Sequence, residues 1–284
     1  MNFGKTIYPL IWAFIMPFTL NAHQPQGELH YLANEGVMAT TLDTKVLFDP
    51  FFHNDYQTYA LVPQTIRDAI FNGEKPYDNI DFVFISHAHG DHFSAEDLLR
   101  YLKKHPKVQL VAPQQAIDTI ARLKHSLLIL NRTHAIDLDF GDPVLEFNIQ
   151  DISIQAIRIP HAGWPGRKEV ENIVYRVKLD DTMSVMHMGD ADVNPQHYRP
   201  YQLTFDQNRT DINFPPYWFL TSDVGNMILN DMIKATKNIG VHVPIQVPEN
   251  LIKSGKDFFS KPGEFRVFKA KEMHSDNQEF KSHK

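Results

Sequence analysis

The 284-residue chain contains no cysteine. That absence excludes disulfides, iron–sulfur clusters, thiolate zinc sites and a cysteine nucleophile together. Nor is there a block of Lys or Arg. The 28 Lys+Arg are outnumbered by 34 Asp+Glu, a formal net charge of −6, which argues against nucleic acid as the main partner, since phosphate neutralisation needs clustered positive charge. A long apolar run is missing too: the stretch Ile7–Leu20 has 14 residues and is interrupted by Pro9 and Pro17, too short and broken to span a bilayer as a helix. No internal repeat, low-complexity tract or linker divides the chain. What is present is a globular balance of 43% hydrophobic and 22% charged residues, with enough length to bury a large core unaided. The unusual count is 15 histidines, which points towards metals.

Residues 1–22 carry Lys5 as their only charge, then the apolar run, then Ala22. This order reads as a secretory signal peptide, and the protein is expected in the periplasm or outside the cell, with no stable membrane span after cleavage. Leu20 stands where a small residue is preferred, so an uncleaved anchor or a buried N-terminal helix stays open. Residues 23–270 are expected to form one domain, and residues 271–284 a polar C-terminal tail.

His30–Thr41 and Thr44–Asp49 read as a strand pair turning at Leu42-Asp43, and Pro63–Asn72 as a helix stopped by Gly73. Ile80–Ser86 is nearly all apolar, hence a strand buried on both faces. A helix follows from Ser94, in a capping-box variant with Asp97. Next come a strand at Val108–Ala112, a helix at Pro113–Leu123, and a run of strands at Ser126–Leu130, Pro143–Ile149, Ile152–Ile159, Asn172–Leu179 and Met183–Met188. Asp223–Thr236 reads as a helix, Val241–Val243 and Gly263–Lys269 as short strands. Sheets with helices on their outer faces suit this order.

The strongest chemical signal stands directly after the buried strand: His87-Ala88-His89-Gly90-Asp91-His92. Three imidazoles and a carboxylate in six residues cannot sit unpaired in a core. His87 and His89 project to one side of extended backbone, and a sharp turn at Gly90 would swing Asp91 and His92 to a second point nearby. That geometry suits two metal ions better than one.

The pattern His87-x-His89-x-Asp91-His92 resembles the signature of the metallo-β-lactamase superfamily. The resemblance extends to His161 after a mid-chain strand, Asp190 in Gly189-Asp190, and His242 in Gly240-Val241-His242-Val243-Pro244, in the family's order. Leu47-Phe48-Asp49-Pro50 is similar to its early strand ending in a structural Asp. The resemblance implies a four-layer αββα sandwich, two mixed β-sheets flanked by helices. It further implies one metal held by His87, His89 and His161, a second held by Asp91, His92 and His242, and Asp190 bridging both. Zinc, two ions per chain, suits these nitrogen and oxygen donors; Mn2+ or Fe2+ suits them too. The implied reaction is hydrolysis by a bridging hydroxide, oriented by Asp91 as the catalytic carboxylate, of an ester, lactone or phosphodiester.

Thiolate β-lactamases are excluded for want of a cysteine, and Asp190 counts against the His-ligated ones, which leaves β-lactamase activity as an alternative. A mononuclear-iron oxidoreductase similar to the persulfide dioxygenases is the other. His187, close to Asp190, reads as a packed or supporting residue. Aromatic surface in Pro50–Tyr56 and Pro215–Phe219, with Trp164, Arg167 and Lys168 after His161, suggests a small-molecule or lipid-like substrate with an apolar tail and an anionic group. Packing of those aromatics in the core is the plainer alternative.

Overall fold

The computed structural model describes Met1, residues 26–180 and residues 183–269. The expected signal peptide and the C-terminal tail lie outside these residues. Strand β4 (Phe82–Phe84) shows why the chain layers as it does. Phe82 and Phe84 point into the core between the two sheets, while Val83 and its neighbour Ile85 point the other way, under helices. An apolar residue at every position therefore demands cover on both faces.

The first sheet has seven strands in the order β13-β1-β2-β3-β4-β5-β6. These are β1 (Gln26–Ala33), β2 (Gly36–Thr40), β3 (Lys45–Phe48), β4, β5 (Gln109–Pro113), β6 (Thr133–Ile136) and β13 (Phe265–Lys269). The second has six, β12-β11-β10-β9-β8-β7, formed by β7 (Leu145–Ile149), β8 (Ile152–Arg158), β9 (Ile173–Leu179), β10 (Met183–His187), β11 (Ile212–Phe214) and β12 (Lys237–Asn238). Both sheets mix parallel and antiparallel pairs.

The outer face of the first sheet is covered by α1 (Gln64–Asn72), α2 (Ala95–Lys104) and α3 (Gln114–Ala121) through Leu98, Leu102, Ala116 and Ile120. The second sheet is covered by α4 (Gln202–Gln207), α5 (Tyr217–Leu220) and α6 (Asp223–Met227), with Phe205, Phe219 and Ile228 in that layer. The result is the expected four-layer sandwich.

Several local expectations change. The segment read as one strand from His30 is a hairpin, with Asn34 and Glu35 as a two-residue turn in which Asn34 has φ 47°. Ser126–Leu130 is not a strand but the body of a 3-10 helix, Ser126–Arg132. Ile129 packs inwards there while the leucines around it face water. Asp223–Thr236 divides into α6 and a π-helical turn at Ile228–Ile233. Val241–Val243 makes no strand, only a bridge from Val241 to Pro216. Ser94 does cap α2, accepting from the Asp97 N–H. The Asp97 carboxylate, however, turns to Arg67 and His53 instead of closing a capping box.

Candidate metal centre

Every expected ligand leaves a strand end or adjoining loop along one rim of the sandwich. His87–His92 follow β4, His161 follows β8, Asp190 follows β10, and His242 stands in the loop after β12. The structure brings all seven together. His87 Nε2 and His161 Nε2 each lie 3.1 Å from His89 Nδ1. Across the cluster, His92 Nε2 is 3.6 Å and His242 Nε2 3.5 Å from Asp91 Oδ2. Two candidate donor groups result, His87/His89/His161/Asp190 and Asp91/His92/His242.

Asp190 stands between them with a different oxygen towards each. Its Oδ2 is 3.2 Å from His161 Nε2 and 4.0 Å from His87 Nε2. Its Oδ1 is 3.0 Å from His242 Nε2 and 3.3 Å from His92 Nε2.

The hydrogen bonds behind the rings set which nitrogens are free. His92 Nδ1 is held by Asp49 Oδ2 at 2.9 Å, and His87 Nδ1 by Ser86 Oγ at 3.0 Å. The Ser86 hydroxyl donates onward to Asp49 at 2.5 Å. His161 Nδ1 donates to the Ala162 carbonyl at 2.8 Å. These contacts orient the three rings with Nδ1 backed by the protein and Nε2 towards the centre, the face that would meet a metal ion. Five buried atoms of the cluster have no hydrogen-bond partner: Asp91 Oδ1, His92 Nε2, Asp190 Oδ1 and both nitrogens of His242. Buried acceptors facing one another are costly unless a cation sits among them, so the residues fit a pair of divalent ions.

The charges of the bare cluster are strongly coupled. Burial presses the His87 pKa well below its usual range, helped by the neighbouring His92 and His161. Burial also opposes charge on His92 and His242, but Asp190, Asp49 and Asp91 outweigh it, holding His92 well up and His242 at about 9. Asp190 is held well below the carboxylate range, because His242, His92 and His161 outweigh its own burial.

Backbone constraints place these groups. Gly189 has φ 52°, and a Cβ there would meet Asn172 Oδ1 at 2.4 Å and Ser86 Cβ at 2.7 Å. No other residue fits. His242, with φ 56°, takes the same conformation despite its side chain, tied by its N–H to the Asn34 carbonyl at 2.9 Å. Gly90 is a correction: it is absent from the positive-φ glycines. It is needed instead for close approach, since the N–H groups of His53 and Asn54 both bond its carbonyl and a Cβ would lie 3.2 Å from Asn54 Cβ.

His187 supports from outside the centre. It stacks on Phe48 at 4.9 Å, its Nε2 donates to the Glu35 carbonyl at 2.9 Å, and its Nδ1 accepts from the Gly189 N–H at 3.3 Å. Glu35, Asp49 and His187 also converge, but both nitrogens of His187 are committed, which removes it as a ligand. Sequence reasoning missed two supports. Asn172 accepts from the Asp190 N–H and donates to the carbonyls of Ile159 and Met188. The Asn34-Glu35 turn contacts Asp91, His187 and His242 through its amide and carbonyls. Asn34-Glu35-Gly36 carries a legible turn signal, whereas nothing in the sequence marks Asn172.

The centre opens into a pocket of about 390 Å³ walled by Tyr56, Tyr59, Arg167 and Val170. The Tyr59 and Trp218 rings lie 4.2 and 5.3 Å from His242. An adjoining cleft of about 420 Å³ shares His89, Glu169 and Val170 and runs along α3 to Arg122. Of the aromatics noted in the sequence, Phe51, Phe52 and Phe219 are buried core residues. Trp164 packs on Phe140 and His197 instead of lining the pocket.

The family model for the beta-lactamase superfamily domain matches residues 28–214. Igni18, a metallo hydrolase from the hyperthermophilic archaeon Ignicoccus hospitalis, shares the fold with a TM-score of 0.58 and 14% identity, covering 86% of this chain and 99% of that one. CmlA, a diiron β-hydroxylase from Streptomyces venezuelae, shares it with a TM-score of 0.50 and 13% identity, over 87% of this chain and 54% of that one. In sequence, 28% identity over 106 residues relates the chain to an octanoyltransferase of Porphyromonas gingivalis, covering 36% of this chain and 21% of that protein. The chain thus spans about a fifth of the curated relative it matches. The family model spans more than half of the chain, including the segments that carry His87–His92, His161 and Asp190, so the chain belongs to the beta-lactamase superfamily domain family, the metal-dependent hydrolases of the metallo-β-lactamase fold.

Proposed function

We propose that the protein is a dinuclear hydrolase of ester, lactone or phosphodiester bonds, with zinc in both positions. One observation carries the reading: Asp190 offers one carboxylate oxygen to His87 and His161 and the other to His92 and His242. His87, His89 and His161 would hold one ion, Asp91, His92 and His242 the other, and Asp190 would bridge. Bound there, the ions supply a water acidified to near-neutral pH and polarise the scissile carbonyl or phosphoryl oxygen. Asp91, with its Oδ1 free of protein partners, orients the attacking water and returns a proton to the leaving group. Tyr59, kept neutral by burial and the nearby carboxylates, lines the same pocket, where its hydroxyl would serve as a donor. Arg167 on the pocket wall suits a substrate with an anionic group. A leader at residues 1–22 and export to the periplasm belong to the same reading.

Metal analysis of the purified chain, followed by assay on phosphodiester, lactone, ester and β-lactam panels, tests it. Two zinc ions and turnover on an ester-type substrate support it. Two irons with no hydrolysis would shift the reading towards the redox chemistry named for CmlA. Asp91→Asn should retain the fold and lose more than about a hundredfold in kcat.

A further inference from the structure

The chain is acidic as a whole, yet residues 95–132, from the start of α2 to the end of the 3-10 helix, hold seven Lys/Arg against Glu96, Asp97 and Asp118, a local net of +4. Apart from the pair Lys103-Lys104, these cations are spaced apart in sequence. The fold gathers them, because α2, α3 and the 3-10 helix Ser126–Arg132 pack against one another. Lys103, Lys104 and Lys107 stand at the end of α2, and Arg122 and Lys124 just past α3, all exposed. Beside them Leu127, Leu128 and Leu130 lie on the surface with 78%, 61% and 48% exposure. Ile129 and the Arg132 guanidinium, which donates to the carbonyls of Val108 and His105, pin this helix from beneath. The leucines are therefore held outwards.

We infer that this corner is a docking surface for a bilayer carrying anionic headgroups. Three leucines on a short fixed helix can enter the headgroup boundary, while the surrounding lysines and Arg122 meet the lipid phosphates. Nucleic acid would satisfy the cations but offer the leucines nothing, whereas a lipid surface satisfies both. The corner also adjoins the centre: Arg122 lines the cleft that shares His89 with the metal pocket. Docking there would bring a lipid-like ester or phosphodiester to the cleft mouth, a consequence that rests on the hydrolase reading.

The absence of native cysteine allows a unique label. The full chain with Leu128→Cys, carrying an environment-sensitive fluorophore, is mixed with phosphatidylcholine vesicles with and without phosphatidylglycerol. The expected result is a blue shift and an intensity gain with the anionic vesicles, weakened by salt and by Lys124→Glu. Leu203→Cys, at a site 67% exposed in α4, should give no change. No shift at position 128, or an equal shift at position 203, overturns the proposal, even if another segment or an acidic partner protein holds the chain to membranes. Hydrolysis of a soluble ester, measured on the same samples, reports separately on the hydrolase reading.

Discussion

Glu35 is fully buried, and neither of its carboxylate oxygens has a hydrogen-bond partner. Its burial, with Asp190 and Asp49 adding repulsion, raises its pKa well above the usual range against the pull of His92 and His242. The sign of the linkage follows. An acid whose folded pKa is raised costs stability as pH climbs from its unfolded value towards the folded one. In the metal-free chain, Glu35→Gln should match the wild type near pH 4 and become progressively more stable above it. The difference should grow by at most about 1.4 kcal/mol per pH unit, as read from urea unfolding at several pH values. A pH-independent difference would mean that Glu35 is ionised in the fold. Asp49, unlike Glu35, is fully partnered, by the Ser86 N–H, the Ser86 hydroxyl and His92. It orients His92 from behind, so Asp49→Asn should weaken metal affinity by about 10- to 100-fold in a competition titration.

At the scale of elements, the centre depends on how strand ends are stapled. Asn172 precedes β9 and joins the ends of β8 and β10, the two strands that launch His161 and Asp190. Asn172→Ala leaves the buried Asp190 N–H unpaired, and should cost about 1–3 kcal/mol along with metal affinity. Gly189 and Gly141 make a controlled pair. Both have positive φ, but a Cβ at Gly141 meets nothing within 4 Å. Gly141→Ala should cost about 1 kcal/mol of backbone strain. Gly189→Ala should exceed it by several-fold in thermal unfolding, because Asn172 and Ser86 must move as well. The motif at residues 87–92 is local, and β4 announced itself by continuous apolar residues, so both could be read. Ser126–Leu130 reads as a strand although it forms a 3-10 helix, because its apolar run is short and periodicity cannot separate the two. The roles of Asn34 and Asn172 arise only from contacts between distant segments. Asn34 donates to the Asp91 carbonyl, 57 positions away.

Across the whole molecule, the candidate ligands tie the two sheets together. His87, His89, Asp91 and His92 leave the first sheet, whereas His161 and Asp190 leave the second. Without cations, this seam holds five unpartnered buried atoms and carboxylates crowded beside one another. Metal should therefore stabilise the fold globally. Free ion at about 1,000 times its Kd contributes about 4 kcal/mol, and for a chain of this size each kcal/mol moves Tm by about 2 °C or more. Chelation should accordingly lower Tm by about 8 °C per ion removed, and added zinc should restore it. Hydrogen exchange distinguishes this from a local effect: protection should fall at the ends of β4, β8 and β10 together, since one centre holds all three. Loss confined to residues 87–92 would mean that His161 and Asp190 do not share the ions, and the bridging role assigned to Asp190 would fail with it.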